Sequence, residues 1–387
     1  MSGFVQRCVI SGGDGLTAAA VNRLTVAVKD TVDIAGLPTK AGSRALDDAP
    51  PVAAHAAVVQ AVLDAGCRIV GKTVLHEFAY GMTGLNDWSG TPLNPRFPAL
   101  VPGGSSSGSA AVVAEGLVDF AIGTDTGGSI RLPAACCGIF GLKPTFGRID
   151  RRGVMPEHTS LDCVGPMAAD IAMLVAGIAA MDPTFRPRTP GEGFPRLGMP
   201  AVDAEPAIAG AVAAALHRTG LPLRSVRLDG LKAAFDAGLV VINAETWAAC
   251  GAYLATGLVG PDVAARLERA RATTADDLAA AEAVRAEFTA EVDRALSDVD
   301  ALALPTLPSF PMTLADARAG KVDLGASALV RPFNLSGHPA LTLPLPAVDG
   351  RPVGLQLVGR KGEDEALCAV AQRLVTLLGG PDQENKD

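Results

Sequence analysis

The sequence has no long uninterrupted hydrophobic run and no long run of Lys or Arg. Its longest apolar stretches, such as 110–122, contain Glu115 and Asp119 and are shorter than the roughly 20 residues of a membrane-spanning helix. The first eight residues lack a basic segment followed by an apolar one, so we expect no signal peptide. The net charge is −8, which disfavours binding to a phosphate backbone. We therefore expect neither a membrane nor a nucleic acid as a partner.

Cysteine patterns typical of disulfides or zinc are also missing. The seven cysteines are an odd number at scattered positions, and Cys136 and Cys137 are adjacent. A disulfide framework usually has an even number of regularly spaced cysteines, and a zinc site usually has Cys pairs two residues apart or a Cys/His cluster. We interpret these residues as buried thiols of a cytoplasmic protein and expect no metal.

What the sequence does contain is an alternation of short strands and helices, which predicts an α/β architecture. Strands are predicted at 25–28, 68–71, 119–123 and 301–304, and helices at 53–65 and 109–116. Between about 206 and 299 the chain is instead rich in Ala, Glu and Arg with helical periodicity. We interpret that region as a helical insertion into a single domain, because the strand pattern resumes at residue 301.

Two loops rich in Gly and Ser, at 102–109 and 123–131, are the densest chemical signal. One predicted helix and one predicted strand lie between them, so the two loops can meet in space. In the second loop, Gly127 and Gly128 precede Ser129, and glycine lets the backbone approach a ligand closely. Successive N–H groups there can form an anion nest. Donors of this kind stabilise a developing oxyanion by about 3–4 kcal/mol each.

A serine nucleophile needs a base, and histidine is the usual one. None of the five histidines lies in these loops: His55, His76, His158, His217 and His338. Lys29 is the alternative, because it ends an apolar run and burial there would lower its pKa enough for it to accept a proton. Taken alone, such a position is more commonly that of a solvated lysine at a strand end.

An ordered series of motifs resembles the amidase signature family. The motifs are Val28-Lys29-Asp30, the loop at 103–109, the loop at 125–131, and the segments at 133–138, 141–148, 160–167 and 334–340. The strong part of the resemblance covers about 20–180, and a weaker part covers 300–375. Residues 185–295 match little.

The resemblance implies a Ser–Ser–Lys triad. Ser129 corresponds to the nucleophile, Ser105 to a bridging serine held by a cis peptide bond, and Lys29 to the base. Other implied roles fall on three groups: oxyanion-hole donors Thr126, Gly127, Gly128 and Ser129; supporting residues Ser106, Asp125 and Arg131; substrate contacts Tyr80, Gly81, Met82 and Thr83.

The resemblance further implies one domain over 1–387, an amidase-signature fold in which helices cover both faces of a large, mixed, twisted β-sheet. The implied activity is hydrolysis of a small carboxamide through an acyl-enzyme on Ser129, with no cofactor and no metal. The alternative is the glutaminase subunit of a multi-subunit amidotransferase-like complex. The resemblance also leaves open that the chain forms a homodimer.

Two departures from the family and two competing motifs bear on this interpretation. Only 28 residues precede Lys29, where the family usually has several helices, and the central region is short, which leaves the substrate open. The segment 13–18 fits a dinucleotide fingerprint, but no clear strand links it to a βαβ unit. The segment 104–108 fits a nucleophile elbow centred on Ser106, although Pro102 argues against the strand that such an elbow requires.

Overall fold

The computed structural model describes residues 3–12, 24–189, 194–323 and 325–379. The dinucleotide-like segment 13–18 lies outside these residues. The described residues form eleven strands: β1 Phe4–Ser11, β2 Thr25–Lys29, β3 Arg68–Thr73, β4 Phe120–Asp125, β5 Phe140–Lys143, β6 Cys163–Ala168, β7 Leu197–Pro200, β8 Leu223–Val226, β9 Ala301–Pro305, β10 Ala340–Val348 and β11 Arg351–Val358.

All of these strands belong to one mixed sheet. Its order is β1-β3-β2-β4-β6-β5-β10-β11-β9-β7-β8. The pairs β2/β3, β2/β4, β7/β8 and β7/β9 are parallel, and the remaining pairs are antiparallel. The four strands predicted from the sequence are β2, β3, β4 and β9, each extended by one or two residues at its C-terminal end.

Helices cover both faces of this sheet. Those in the described residues are α1 Ala57–Asp64, α2 Ser107–Ala114, α3 Arg131–Cys137, α4 Ile171–Met181, α5 Pro206–Arg218, α6 Leu231–Cys250, α7 Pro261–Ala270, α8 Ala275–Ala295, α9 Leu314–Arg318, α10 Pro332–Leu335 and α11 Asp364–Leu377. None of them has the length and apolarity that crossing a bilayer requires. The predicted α/β class with a large covered mixed sheet is confirmed.

Strand β2 shows how the sequence divides between the two faces. Val26 and Val28 belong to the apolar core shared with α1, α4, α5 and α11, whereas Ala27 belongs to the core shared with α2 and α3. Side chains alternate along a strand, so Lys29 lies on the same face as Ala27. The small side chain of Ala27 lets α2 and α3 pack closely over this face, and those two helices begin at the two Gly/Ser loops.

The region predicted as a helical insertion, about 206–299, contains α5 to α8. It also contains β8, which forms one edge of the sheet by pairing with β7. Its four-residue length and partly exposed pattern hid this strand from sequence periodicity. Helices α6 and α8 pack together over Leu302 and Leu304 of β9, so the insertion shares its core with the sheet.

Candidate active site

Lys29 is fully buried at the end of β2. Its Nζ lies 2.8 Å from the Ser105 Oγ and 2.8 Å from the Thr124 Oγ1. Burial lowers the pKa of Lys29 to about 7, against the opposing effect of the negative charges on Asp162 and Asp125. A large fraction of the amine is therefore neutral near pH 7, the form that can accept a proton.

Ser105 and Ser106 connect the two Gly/Ser loops. The peptide bond before Ser105 is cis, and both side chains are fully buried. The backbone N–H of Ser106 donates to the carbonyl of Ser129 over 3.3 Å, and its hydroxyl lies 3.3 Å from the carbonyl oxygen of Thr124. These contacts bring the two loops together as the sequence predicted. No strand directly precedes 104–108 in the described residues, so the structure does not support a nucleophile elbow there.

Ser129 lies two residues before α3 and is 8% exposed. Its side chain has no hydrogen-bond partner among the described residues, and no hydrogen bond joins its hydroxyl to that of Ser105. The structure thus places Lys29 in direct contact with Ser105, and leaves the Ser129 hydroxyl free to meet a ligand.

The carboxylate of Asp125 organises the loop that carries Ser129. It accepts the backbone N–H groups of Gly128, Ile130 and Arg131 at 2.7, 3.2 and 3.4 Å. The Arg131 guanidinium donates to both carboxylate oxygens at 2.9 Å. Burial alone would raise the pKa of Asp125, but the charge and hydrogen bonds of Arg131, with a hydrogen bond from Asn334, hold it well below its ordinary value.

Distant parts of the chain complete this network. Arg131 also donates to the carbonyl of Val330 at 2.9 Å, to Gln356 at 2.7 Å and to Asn334 at 2.6 Å. Asn334 belongs to the motif at 334–340, to which the sequence alone assigned no role. Nothing in the sequence pattern pointed to Gln356, because a buried glutamine on a strand carries no distinctive spacing.

The backbone N–H groups of residues 126–129 are not equivalent. The N–H of Gly128 is engaged by Asp125, whereas those of Thr126, Gly127 and Ser129 have no acceptor among the described residues. Gly128 has φ +118°, and a Cβ there would lie 2.4 Å from the Val330 side chain, so glycine is required. The three free donors are those able to bind a developing negative charge.

A large cleft of about 1290 Å³ is lined by Val101 and Leu132, which flank the two loops, but not by Lys29, Ser105 or Ser129. Tyr80, Met82 and Thr83 line it, as do residues of α3 and α6. Gly81 does not line it, and a Cβ on that residue would overlap the imidazole of His76. A separate cavity of about 30 Å³ is lined by both Tyr80 and Thr126, so Tyr80 borders both the cleft and the loop at 123–131.

Two of the histidines contact carboxylates away from the two serines. His76 Nε2 lies 3.3 Å from Asp262, and His338 Nε2 lies 2.9 Å from Asp293. Burial lowers the pKa of His338 to about 4. Within the described residues no histidine side chain hydrogen bonds to Ser105 or Ser129. Among the described residues, Lys29 is therefore the titratable side chain that hydrogen bonds to the Ser105 hydroxyl.

The Asp125–Arg131 network leads to a stability prediction. Replacing Arg131 with methionine leaves the buried Asp125 carboxylate without its main counter-charge, which costs about 3–5 kcal/mol. We expect the midpoint of urea unfolding to fall accordingly. The matched control is Arg152→Met at the exposed ion pair with Asp150, where no measurable change is expected. Equal midpoints for the two variants would contradict a supporting role for Arg131.

All seven cysteines are free, and every one except Cys8 is buried. Burial raises the pKa of Cys136 far above its ordinary value and that of Cys137 to about 12, so both stay protonated. We expect iodoacetamide to leave hydrolytic activity intact, with any alkylation found by mass spectrometry at half-buried Cys8. Rapid inactivation with alkylation at Cys136 or Cys137 would contradict a serine nucleophile.

Comparison with known proteins adds to this geometry. A family model described as Amidase matches residues 21–187 and 203–368. The chain is similar to a glutamyl-tRNA(Gln) amidotransferase subunit of Methanospirillum hungatei, at 34% identity over 94% of this chain and 93% of the relative. The corresponding subunit of Halobacterium salinarum is 33% identical over 96% of this chain and 99% of the relative.

Solved structures show the same likeness. One described as an amidase superposes with a TM-score of 0.83 at 32% identity, covering 91% of this chain and 84% of the other. The same amidotransferase subunit from Thermotoga maritima gives a TM-score of 0.77 at 29% identity, over 94% and 84% of the two chains. An allophanate hydrolase of Kluyveromyces lactis gives 0.81 at 30% identity, covering 92% of this chain and 62% of that one.

Proposed function

Because the chain belongs to the Amidase family, the amidase signature enzymes, we propose that it hydrolyses the C–N bond of a carboxamide with Ser129 as nucleophile. In this proposal Ser105 is the bridging residue and Lys29 the base. The observation that carries it is the fully buried Lys29 Nζ, 2.8 Å from the Ser105 Oγ. A buried amine with a lowered pKa beside a hydroxyl is the arrangement that a lysine base needs.

The proposed reaction begins with neutral Lys29 taking a proton from Ser105 while Ser105 takes one from Ser129. The Ser129 Oγ attacks the amide carbon, and the resulting oxyanion accepts hydrogen bonds from the free N–H groups of Thr126 and Gly127, together with that of Ser129. Gly128 contributes through its backbone conformation, since Asp125 already engages its N–H. The proton returns to the departing nitrogen, the C–N bond breaks, and water hydrolyses the acyl-enzyme.

A more specific version of this function is glutaminase activity inside an amidotransferase-like complex. The relatives named as subunits of glutamyl-tRNA(Gln) amidotransferase favour it over hydrolysis of an arbitrary small amide. Length does not argue against it, since the chain covers 93% of one such relative and 99% of another. The acidic net charge of −8 implies that contact with RNA would fall to other subunits. We place either reaction in the cytoplasm, where buried free thiols persist.

The test is ammonia release by the purified chain from a panel of primary amides that includes glutamine. Broad hydrolysis by the isolated chain supports a free amidase, and glutamine hydrolysis that appears only with copurified subunits supports the amidotransferase version. A fluorophosphonate probe followed by peptide mass spectrometry should label Ser129. Labelling at Ser106 instead, or amide hydrolysis without labelling of Ser129, would overturn the proposal.

A further inference from the structure

Arg331 is a buried arginine between the loop at 123–131 and the large cleft. It immediately precedes α10, is 7% exposed and lines the cleft. A Cβ placed on Gly127 would lie 3.6 Å from both its Cγ and its Nε. On its other side is α6, where a Cβ on Gly238 would lie 3.0 Å from the same Cγ. The guanidinium is therefore held next to the residues proposed to bind the reacting carbonyl.

This guanidinium lacks the partners that a buried charge normally has. Among the described residues, its buried Nε has no hydrogen-bond partner, and Nη1 donates only to the carbonyl of Phe235 over a long 3.4 Å. The group stacks over the Phe235 ring at 4.3 Å. No carboxylate of the described residues lies within ion-pair distance of it. Asp236, the acid whose charge acts most strongly on it, pairs with Lys232.

Arg131 provides an internal comparison. That arginine is also buried, and all three of its guanidinium nitrogens donate to oxygen atoms, including both oxygens of Asp125. Burial lowers the pKa of Arg331 to about 10, which still leaves it charged at neutral pH. A buried charge without a counter-ion costs several kcal/mol, and such groups are usually paired. The counter-charge that the described part of the chain does not supply can come from a bound anion.

The other arginines of the cleft do not share these properties. Arg266 is already paired with Asp262, whose carboxylate also contacts His76. Arg44, Arg269 and Arg318 are exposed. The backbone of Arg331 is fixed from both sides, because Val330 accepts a hydrogen bond from Arg131 and Asn334 donates to the carboxylate of Asp125.

We infer that Arg331 binds a carboxylate on the acyl part of the substrate, so that the site acts on amides whose acyl group carries a second, ionised carboxyl group. This rests on the proposed function at Ser129. The chemical class is the monoamides of short dicarboxylic acids, with or without an α-amino group, and glutamine is one member. A planar guanidinium donates two parallel hydrogen bonds to a carboxylate, which fixes the substrate in one orientation beside Gly127.

The test compares matched amides that differ only in the terminal carboxylate: succinamate against butanamide, and glutaramate against pentanamide. We use the pair whose anionic amide the parent enzyme hydrolyses faster. In that pair we expect kcat/KM to be about 100-fold higher for the anionic amide than for the neutral one, the factor that a charge-assisted hydrogen-bond pair supplies. Arg331→Met should lower kcat/KM for the anionic amide by about 100-fold, mainly through KM. It should leave the neutral amide within about threefold, and Arg331→Lys should recover part of the loss.

Arg318→Met is the charge-matched control, because it removes one positive charge from the exposed wall of the same cleft, and we expect it to leave the preference unchanged. Equal losses on both amides in Arg331→Met would show a structural role and overturn the inference. A second readout does not depend on that variant folding: glutarate should slow fluorophosphonate labelling of Ser129 in the parent protein, and pentanoate should not.

The failure of this inference is distinguishable from failure of the proposed function. If Ser129 is labelled and neutral amides are hydrolysed without any preference for a carboxylate, the role of Arg331 is wrong and the hydrolase proposal stands. If no amide is hydrolysed and Ser129 is not labelled, both are wrong.

Discussion

Replacing Ser129 with alanine is expected to lower kcat/KM for amide hydrolysis by at least about 10⁴-fold, the loss typical of removing a nucleophile from a serine hydrolase. The substitution deletes one hydroxyl that has no hydrogen-bond partner among the described residues, so no hydrogen bond to those residues is lost with it. We therefore expect the urea-unfolding midpoint to stay at the parent value. Steady-state ammonia release and urea unfolding measure the two quantities.

The control for Ser129→Ala is Ser309→Ala, a partly buried serine that lines the large cleft and whose hydroxyl donates to Asp323. That variant should retain parent activity. Activity of Ser129→Ala within tenfold of the parent would show that another group attacks the amide, and would remove the central element of the proposal.

Replacing Lys29 with methionine is expected to lower kcat/KM by about 10²–10⁴-fold, the range that a positioned general base contributes. Methionine keeps most of the volume but has no nitrogen to accept the proton from Ser105. Since burial sets the pKa of Lys29 to about 7, kcat/KM of the parent should fall as pH decreases through that value. This limb should be absent from the residual activity of the variant.

Lys29→Arg separates basicity from charge. A guanidinium stays protonated at any accessible pH, so this variant restores the positive charge but not the proton acceptor, and we expect it to be as inactive as Lys29→Met. A Lys29→Met enzyme that retains both the parent rate and the limb near pH 7 would show that the base is another residue.

The lowered pKa of Lys29 also predicts how stability depends on pH, because a buried, protonated lysine destabilises the folded protein. In the unfolded chain Lys29 titrates near 10.5, and in the folded protein near 7. The folded state thus holds its proton less tightly, and the resulting penalty of roughly 5 kcal/mol is fully present below the lower value. It disappears as pH rises from about 7 to 10.5. We expect the free energy of unfolding of the parent to rise relative to Lys29→Met across that window.

Sequence patterns predicted the strands near the site well and the edge of the sheet poorly. β2, β3 and β4 are short apolar runs bounded by turn residues, which is the signal of a strand covered on both faces. β8 pairs on one side only and keeps exposed side chains, so its apolar pattern is weak. β1 is likewise an edge strand with several exposed side chains, and no sequence signal marked it.

The candidate site divides in the same way between local and distant residues. Lys29, Ser105 and Ser129 lie in dense local motifs, which is why the sequence could single them out. Arg331 and Gln356 could not be found, because their significance depends on residues some 200 positions away in the chain, Gly127 and Arg131 respectively. The hydrogen bond from the Gly128 N–H to the Asp125 carboxylate could not be predicted either, since a motif gives residue types but not the direction in which an amide points.

The reach of Arg131 across the chain has a consequence for biosynthesis. All three proposed catalytic side chains lie within the first 129 residues, yet the loop that carries the nucleophile is held by groups at 330, 334 and 356. A nascent polypeptide therefore contains Lys29, Ser105 and Ser129 long before it contains the segment that positions them. Synthesis must therefore pass residue 356 before the loop that carries Ser129 can be fixed, and the proposed hydrolysis is not expected from a shorter nascent chain.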